Sequence, residues 1–218
     1  MGMESASSRA YEYITQRIAS GEFAPGEPLS EVDIANALNL SRSPVREALK
    51  KMEAEGQVKH YAGRGTFVTV LTEKDLREIF QLRLMFELCG LESAIAHVSD
   101  EVLESMREEF REAFTSGDTE ACAQADTKLH AMIIHSSGNA RLQNFMDVLS
   151  AQNNIAKAMS RKVDFMTDKS YETHVNILEA IQARDLELAK RLLEAHIRSV
   201  EERTIRSLTG VDYRKNTF

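Results

Sequence analysis

The stretch that most limits what this chain can fold into runs Ser41-Arg-Ser-Pro-Val-Arg-Glu-Ala-Leu-Lys-Lys-Met52. From Pro44 onward, Val45, Ala48, Leu49 and Met52 recur at i, i+3, i+4 and i+7, the spacing of one buried helical stripe. The opposite side carries Ser43, Arg46, Glu47 and Lys50, with Arg42 just ahead. Ser43 is the expected N-cap and Pro44 the first helical residue, where a missing N–H breaks no bond. Such a helix shows two arginines and the hydroxyls of Ser41 and Ser43 at its N-terminus. A small, positive, hydrogen-bonding end is what a helix needs to enter a DNA major groove.

The flanking residues extend this reading. Leu29 to Leu38 has Ser30 three residues before Asp33, a capping box, and Val32, Ile34, Ala35 and Leu38 as its expected packing face. Asn39 to Arg42 is then a tight turn between two helices. Glu55-Gly56 stops the second helix. Val58–Tyr61 and Thr66–Val70 are β-prone runs separated by Gly63-Arg64-Gly65, which predicts a hairpin with Arg64 at its tip, in reach of a phosphate or the minor groove. Upstream, residues 1–6 read as a loose arm. Ala10, Tyr11, Ile14 and Ile18 give a first amphipathic helix ended by Ser20-Gly21. The whole is a winged helix-turn-helix.

Charge supports a local DNA contact over an indiscriminate one. The 218 residues carry a formal net charge of −7. Arg42, Arg46, Lys50, Lys51, Lys59 and Arg64 nonetheless outnumber Glu47, Glu53 and Glu55 within one window, so positive charge is gathered in a small patch. No apolar run approaches a membrane span and no signal-peptide core is present, so a cytoplasmic protein is expected. Cys89 and Cys122 are too few for a disulfide framework and read as reduced core thiols.

Past Leu71-Thr72 strand signals stop. Helices are expected at about 73–97, 100–115, 119–136, 140–161, 168–183 and 186–208, with Asp118, Asn139 and Asp185 as N-caps. The expected fold class is therefore mostly α: a winged helix-turn-helix at 1–71, an all-α six-helix bundle at 72–209, and a flexible tail at 210–218.

Three of these helices place ionisable groups on apolar faces. Asp126 and His130 lie one turn apart beside Cys122, Ala125, Leu129, Met132 and Ile133. His174 shares a stripe with Tyr171, Ile177, Leu178 and Ile181, and His196 one with Ala189, Leu192, Leu193 and Val200. A carboxylate and three imidazoles in an apolar bundle are costly unless they satisfy one another or share a cation. Imidazole and carboxylate together suit Zn, Ni, Mn or Fe without choosing among them. Each histidine taken alone is more often a hydrogen-bonded core residue than a ligand.

Two resemblances sharpen these readings. Gly21-Glu-Phe-Ala-Pro-Gly26, Leu29, Ser41 to Leu49, Glu53-Ala-Glu-Gly56 and Gly63 to Val68 closely resemble the N-terminal domain of GntR-family bacterial transcription regulators, over roughly residues 8 to 70. Residues 73 to 208 resemble the FCD effector domain of one GntR branch, in its VanR-like subgroup. Arg83-Leu-Met-Phe-Glu87, Asp126-x-x-x-His130, Ser137-Gly-Asn139, Glu172-Thr-His174 and Ala195-His196-Ile197 carry that likeness. The resemblance implies that Asp126, His130, His174 and His196 ligate a divalent metal, zinc first among the candidates. It also implies an arginine, here Arg83, near the metal as a partner for the effector. Arg83 reads otherwise as half of a surface pair with Glu87. Asn153 is a further candidate for facing the cavity.

The expected function is ligand-controlled transcription. A homodimer would bind a palindromic double-stranded operator, and a small organic acid would coordinate the metal. Arg42 and Arg46 would read guanine edges or grip phosphates, Ser41 and Ser43 would contact phosphates beside Pro44, and Arg64 with Gly65 would enter the minor groove. Val32 stands where some relatives carry an arginine, so an operator sequence does not transfer. No catalytic residue is assigned. The alternatives are a metalloenzyme acting on a small acid, a metal sensor with the ion as signal, and a dimerisation module with hydrogen-bonded histidines.

Overall fold

The computed structural model describes residues 5–159 and 168–209. These fall into two compact units, one holding 5–76, 148–159 and 204–209, the other 77–147 and 168–203. The expected tail at 210–218 and residues 160–161 of the expected fourth bundle helix lie outside the described residues.

The first unit opens with α1 (Ala6–Ser20), capped by Ser5 and closed by Gly21 at φ 68°. The helix thus begins within the stretch expected to be a loose arm, because the Ser5 hydroxyl accepts from the Ser8 N–H and starts the first turn. Next come β1 (Pro28–Leu29), α2 (Glu31–Leu38), α3 (Arg42–Ala54), β2 (Val58–Tyr61) and β3 (Gly65–Val68). The strands form an antiparallel sheet in the order β1-β3-β2, with Tyr61 opposite Gly65 at the hairpin end. Pro28-Leu29 was not expected as a strand; two residues become one only through pairing with Phe67 and Thr66 across the chain. Ser30 caps α2 through the Asp33 N–H, as expected, and Asn39 closes it in the left-handed region at φ 53°.

α3 corrects the expected start. Ser41, not Ser43, is the N-cap, and Pro44 is the third helical residue instead of the first. The physical reason is that the first helical N–H groups all lack an intrahelical acceptor, so proline costs nothing at either position. Val45, Ala48, Leu49 and Met52 are all buried, with Ile14 and Ile18 of α1 and Ile34 and Ala35 of α2. A 13-residue helix is marginal alone, so this stripe is what holds it. Val32, expected on the packing face of α2, is exposed instead, while Ile34 and Ala35 are buried.

The bundle helices are α4 (Glu73–His97), α5 (Asp100–Ser116), α6 (Thr119–Ser136), α7 (Ala140–Met159), α8 (Asp168–Gln182) and α9 (Leu186–Thr209). α4 opens on a reciprocal box: Thr72 Oγ1 accepts from the Asp75 N–H at 3.2 Å while Asp75 Oδ2 accepts from the Thr72 N–H at 2.8 Å. Asp118, Asn139 and Asp185 each accept backbone N–H groups at the starts of α6, α7 and α9. The core of the second unit gathers Phe80, Leu91, Leu103, Phe110, Leu129, Ile133, Ile177, Ile181 and Leu193. Gly90 of α4 lies against the backbone of α6, where an added Cβ would come within 2.4 Å of the Ile133 carbonyl oxygen. Cys122 is buried as expected, but Cys89 is exposed and is not a core thiol. Leu82, Met85 and Phe145 are exposed apolar side chains of this unit, and Phe145 stacks on Phe86 at 6.3 Å. Among the described residues no helix is long and apolar enough to cross a membrane.

Candidate functional site

The reading surface is built on the start of α3. Arg42 and Arg46 are more than half exposed, and Ser41 and Ser43 are exposed beside them, with Pro44 partly buried. The Ser41 hydroxyl is not spent on capping the helix. The Arg42 and Ser43 N–H groups lie in the first turn, the end of a helix that favours phosphate. Sequence reasoning missed Glu31, the first residue of α2. Its Oε1 accepts from Arg46 Nε at 3.2 Å, and its Oε2 from Arg46 at 2.9 Å and from Arg42 at 3.0 Å. The Arg46 hydrogen bonds hold the Glu31 carboxyl below its ordinary range against partial burial, with Arg42 adding to the effect. At the hairpin tip the Arg64 N–H donates to the Tyr61 carbonyl at 3.0 Å. Gly63 and Gly65 take φ of 73° and 95° with open space around them, so the turn's backbone, not crowding, calls for glycine. Arg64 and Gly65 are exposed.

The second site is a polar cage inside the other unit. Asp126 and His130 of α6, His174 of α8 and His196 of α9 each offer one ligand atom, all within 4.8 Å of one another. Asp126 Oδ1 lies 3.1 Å from His174 Nε2, 3.4 Å from His130 Nε2 and 4.0 Å from His196 Nε2. The three imidazoles are buried and Asp126 is partly so. The Phe110 ring stacks on His174 at 4.8 Å and the His130 ring on His196 at 5.2 Å, which fixes ring planes.

Behind the cage stands a layer that the sequence did not disclose. Glu87 of α4 is fully buried. Its Oε2 meets His130 Nδ1 at 2.5 Å and its Oε1 accepts from Arg83 Nε at 2.6 Å. The Arg83–Glu87 pair does have i,i+4 spacing, but it is buried, not a surface pair. Burial works to raise the Glu87 carboxyl, and His130 and Arg83 together outweigh it and hold it down. Burial also disfavours protonated His130, yet the Glu87 charge lifts it above its usual value. His196 is driven well below its usual value by burial, and by its neighbours His174 and His130. Arg203 of α9 is a further guanidinium whose charge is felt by Asp126; burial lowers it and Asp126 opposes that.

The cage fits a cation on its own chemistry. His130 Nε2, His174 Nδ1 and His196 Nε2 are buried and have no hydrogen-bond partner. His174 meets Asp126 through Nε2, so the orphans that face the carboxylate are His130 Nε2 and His196 Nε2. An unpartnered buried polar atom costs about 1–3 kcal/mol, so two around one carboxylate are not an economical way to fill a core. A divalent ion accepts the lone pairs of neutral imidazoles and the carboxylate charge together. The Glu87 contact to His130 Nδ1 is the outer partner that a metal-bound imidazole ordinarily has, leaving Nε2 for the ion. His60, His97 and His135 are exposed and lie outside the cage. Asn153 is half-buried on the part of α7 that belongs to the first unit, and the cage lies in the second.

A winged helix-turn-helix with an exposed cationic helix start, carried with an all-helical unit that encloses a polar cage, defines a DNA-binding regulator with a sensory domain. Residues 6–68 match the family described as bacterial regulatory proteins, gntR family, and residues 78–199 match the FCD domain. The chain belongs to the GntR family of transcription regulators, FCD branch. It is 32% identical over 209 residues to the "Probable D-xylose utilization operon transcriptional repressor" of Paenarthrobacter nicotinovorans, covering 94% of this chain and 91% of that one. It is 29% identical over 191 residues to the uncharacterized HTH-type transcriptional regulator YdhC of Bacillus subtilis, covering 85% of each. Among solved structures, the metal-free FCD domain of TM0439 matches with a TM-score of 0.56 at 26% identity, over 65% of this chain and 99% of that one. The family and these relatives are transcription regulators and not enzymes, which removes the metalloenzyme alternative.

Proposed function

We propose that this regulator binds a palindromic operator as a homodimer and responds to a small organic acid held at a divalent cation in the helical unit. The observation that carries this reading is that three buried imidazoles turn Nε2 toward one carboxylate oxygen, and two of those nitrogens, on His130 and His196, have no hydrogen-bond partner. Asp126, His130, His174 and His196 would hold the ion, with zinc the first candidate and nickel, manganese or iron also suited. When bound, the ion supplies a Lewis-acidic position for a carboxylate oxygen. Arg83, behind the cage and kept charged by Glu87, adds positive potential for the same anion. Residues 1–71 act as the reading domain and 72–209 as the effector and dimerisation domain. A second copy seated on the apolar face of Leu82, Met85 and Phe145 supplies the other half-site, since a two-fold interface must be self-complementary.

In the reading domain Arg42 and Arg46 contact base edges or phosphates, Ser41 and Ser43 contact phosphates beside Pro44, and Arg64 with Gly65 reaches the minor groove. The exposed Val32 of α2 offers only apolar contact, which leaves base reading to α3. Arg46→Ala should weaken binding to a duplex selected from a random pool by the unmodified protein, by about 1–3 kcal/mol, while metal content stays as in the wild type. His174→Ala should do the opposite: it loses the ion and the response to small carboxylates, and keeps affinity for the selected duplex. Fluorescence anisotropy with parallel elemental analysis checks both. Unaltered duplex binding by Arg46→Ala contradicts the reading-helix assignment, and full metal content in His174→Ala contradicts the ligand assignment.

A further inference from the structure

Two arginines exposed side by side on one helix start pose a physical problem. Each is long and rich in rotamers, and their like charges repel. Both would lose conformational freedom on meeting DNA, and both would attract a phosphate backbone of any sequence. The structure holds them with one carboxylate. Glu31 grips Arg46 by two bonds at 2.9 and 3.2 Å and Arg42 by a third at 3.0 Å, across separations of 15 and 11 residues. The Glu31 side chain is only 24% exposed, against 59% and 55% for the two arginines. The carboxylate is therefore the more buried member, and the two guanidinium groups stay largely open to solvent. A lone exposed ion pair contributes little, but a two-bond fork sharing its anion with a second arginine fixes two side chains at once.

We propose that Glu31 is a positioning residue: it straps Arg42 and Arg46 into one preorganised reading head and tempers their attraction for DNA of any sequence. This rests on α3 being the reading helix. The three groups together carry one net positive charge instead of two, so non-specific attraction is reduced. The ordering of both side chains is completed in the free protein, so a matching base sequence gains more than a mismatched one.

The test uses the full chain, a duplex selected from a random pool by the wild type, and a scrambled duplex of equal length and composition. In Glu31→Gln, affinity for the scrambled duplex should rise several-fold, and its salt dependence should steepen by about one further counterion. The preference for the selected duplex should fall about tenfold. Glu31→Asp keeps the charge on a shorter stem; it should restore the salt slope and only part of the preference. Wild-type slope and preference in Glu31→Gln overturn the proposal. So does a loss confined to one C·G pair with the slope unchanged, which makes Glu31 a base-reading residue. Arg46→Ala measured beside them separates the two levels. If it binds the selected duplex normally, the reading-helix assignment fails and the strap with it. If it is defective while Glu31→Gln behaves as wild type, only the strap fails.

Discussion

Glu87→Ala should destabilise the protein by about 3–5 kcal/mol, the cost of removing one member of a buried charged network. The substitution strips Arg83 Nε of its acceptor at 2.6 Å and His130 Nδ1 of its partner at 2.5 Å, and Arg83 is only 6% exposed. Water cannot fully resolvate that guanidinium, so the penalty exceeds that of a surface pair. Glu87→Gln keeps the volume and one acceptor oxygen and should lose about half as much. Both variants should also hold metal about 10–100-fold more weakly, since the outer partner of His130 is what orients its ring. Urea unfolding monitored by circular dichroism, with a metal titration, measures the two effects. A loss below about 1 kcal/mol in Glu87→Ala would mean that the pair is solvated and the cage has no outer layer.

Gly90→Ala sets two effects against each other. Alanine favours a helix interior by about 1 kcal/mol over glycine. Its Cβ, however, would stand 2.4 Å from the Ile133 carbonyl oxygen and 3.1 Å from the Ile134 Cα. These are backbone atoms of α6, so no side chain can rotate away and α4 and α6 must separate. Overpacking of this kind costs about 3 kcal/mol, which leaves a net loss of about 2 kcal/mol. The displacement also loosens the cage, because α6 carries Asp126 and His130, and metal affinity should fall with stability. A thermal melt showing Gly90→Ala more stable than wild type would mean that the two helices are not in contact there.

Much of this was legible in the chain because local rules and packing agree. Over the described residues the six bundle helices fall within about one residue of their periodic segments, and Asp118, Asn139 and Asp185 cap where their chemistry says. The Asp126 and His130 pairing follows from helical spacing alone. Bringing His174 and His196 to the same point does not, since it depends on how α8 and α9 pack on α6; the family likeness named all four before the geometry did. Three features stayed hidden for physical reasons. Glu87 is indistinguishable by sequence from an exposed partner of Arg83, because its burial is decided by the close approach of α4 and α6 at Gly90. Glu31 reads as the first turn of a capped helix, and its reach to Arg42 and Arg46 comes from the fold of the turn between α2 and α3. The start of α3 was displaced by two residues because Ser41 and Ser43 are equal candidates for the cap and proline discriminates neither.

The polar cage should prove to be a cation site. Its most direct test is elemental analysis of the full-length protein purified without chelator and dialysed, alongside His174→Ala. Wild-type protein should carry about one divalent ion per chain, and its melting temperature should fall when the ion is removed and recover on its return, as ligand linkage requires. His174→Ala should show neither. Wild-type protein that carries no divalent metal, and whose melting temperature does not move when zinc, nickel, manganese or iron is added, would contradict it.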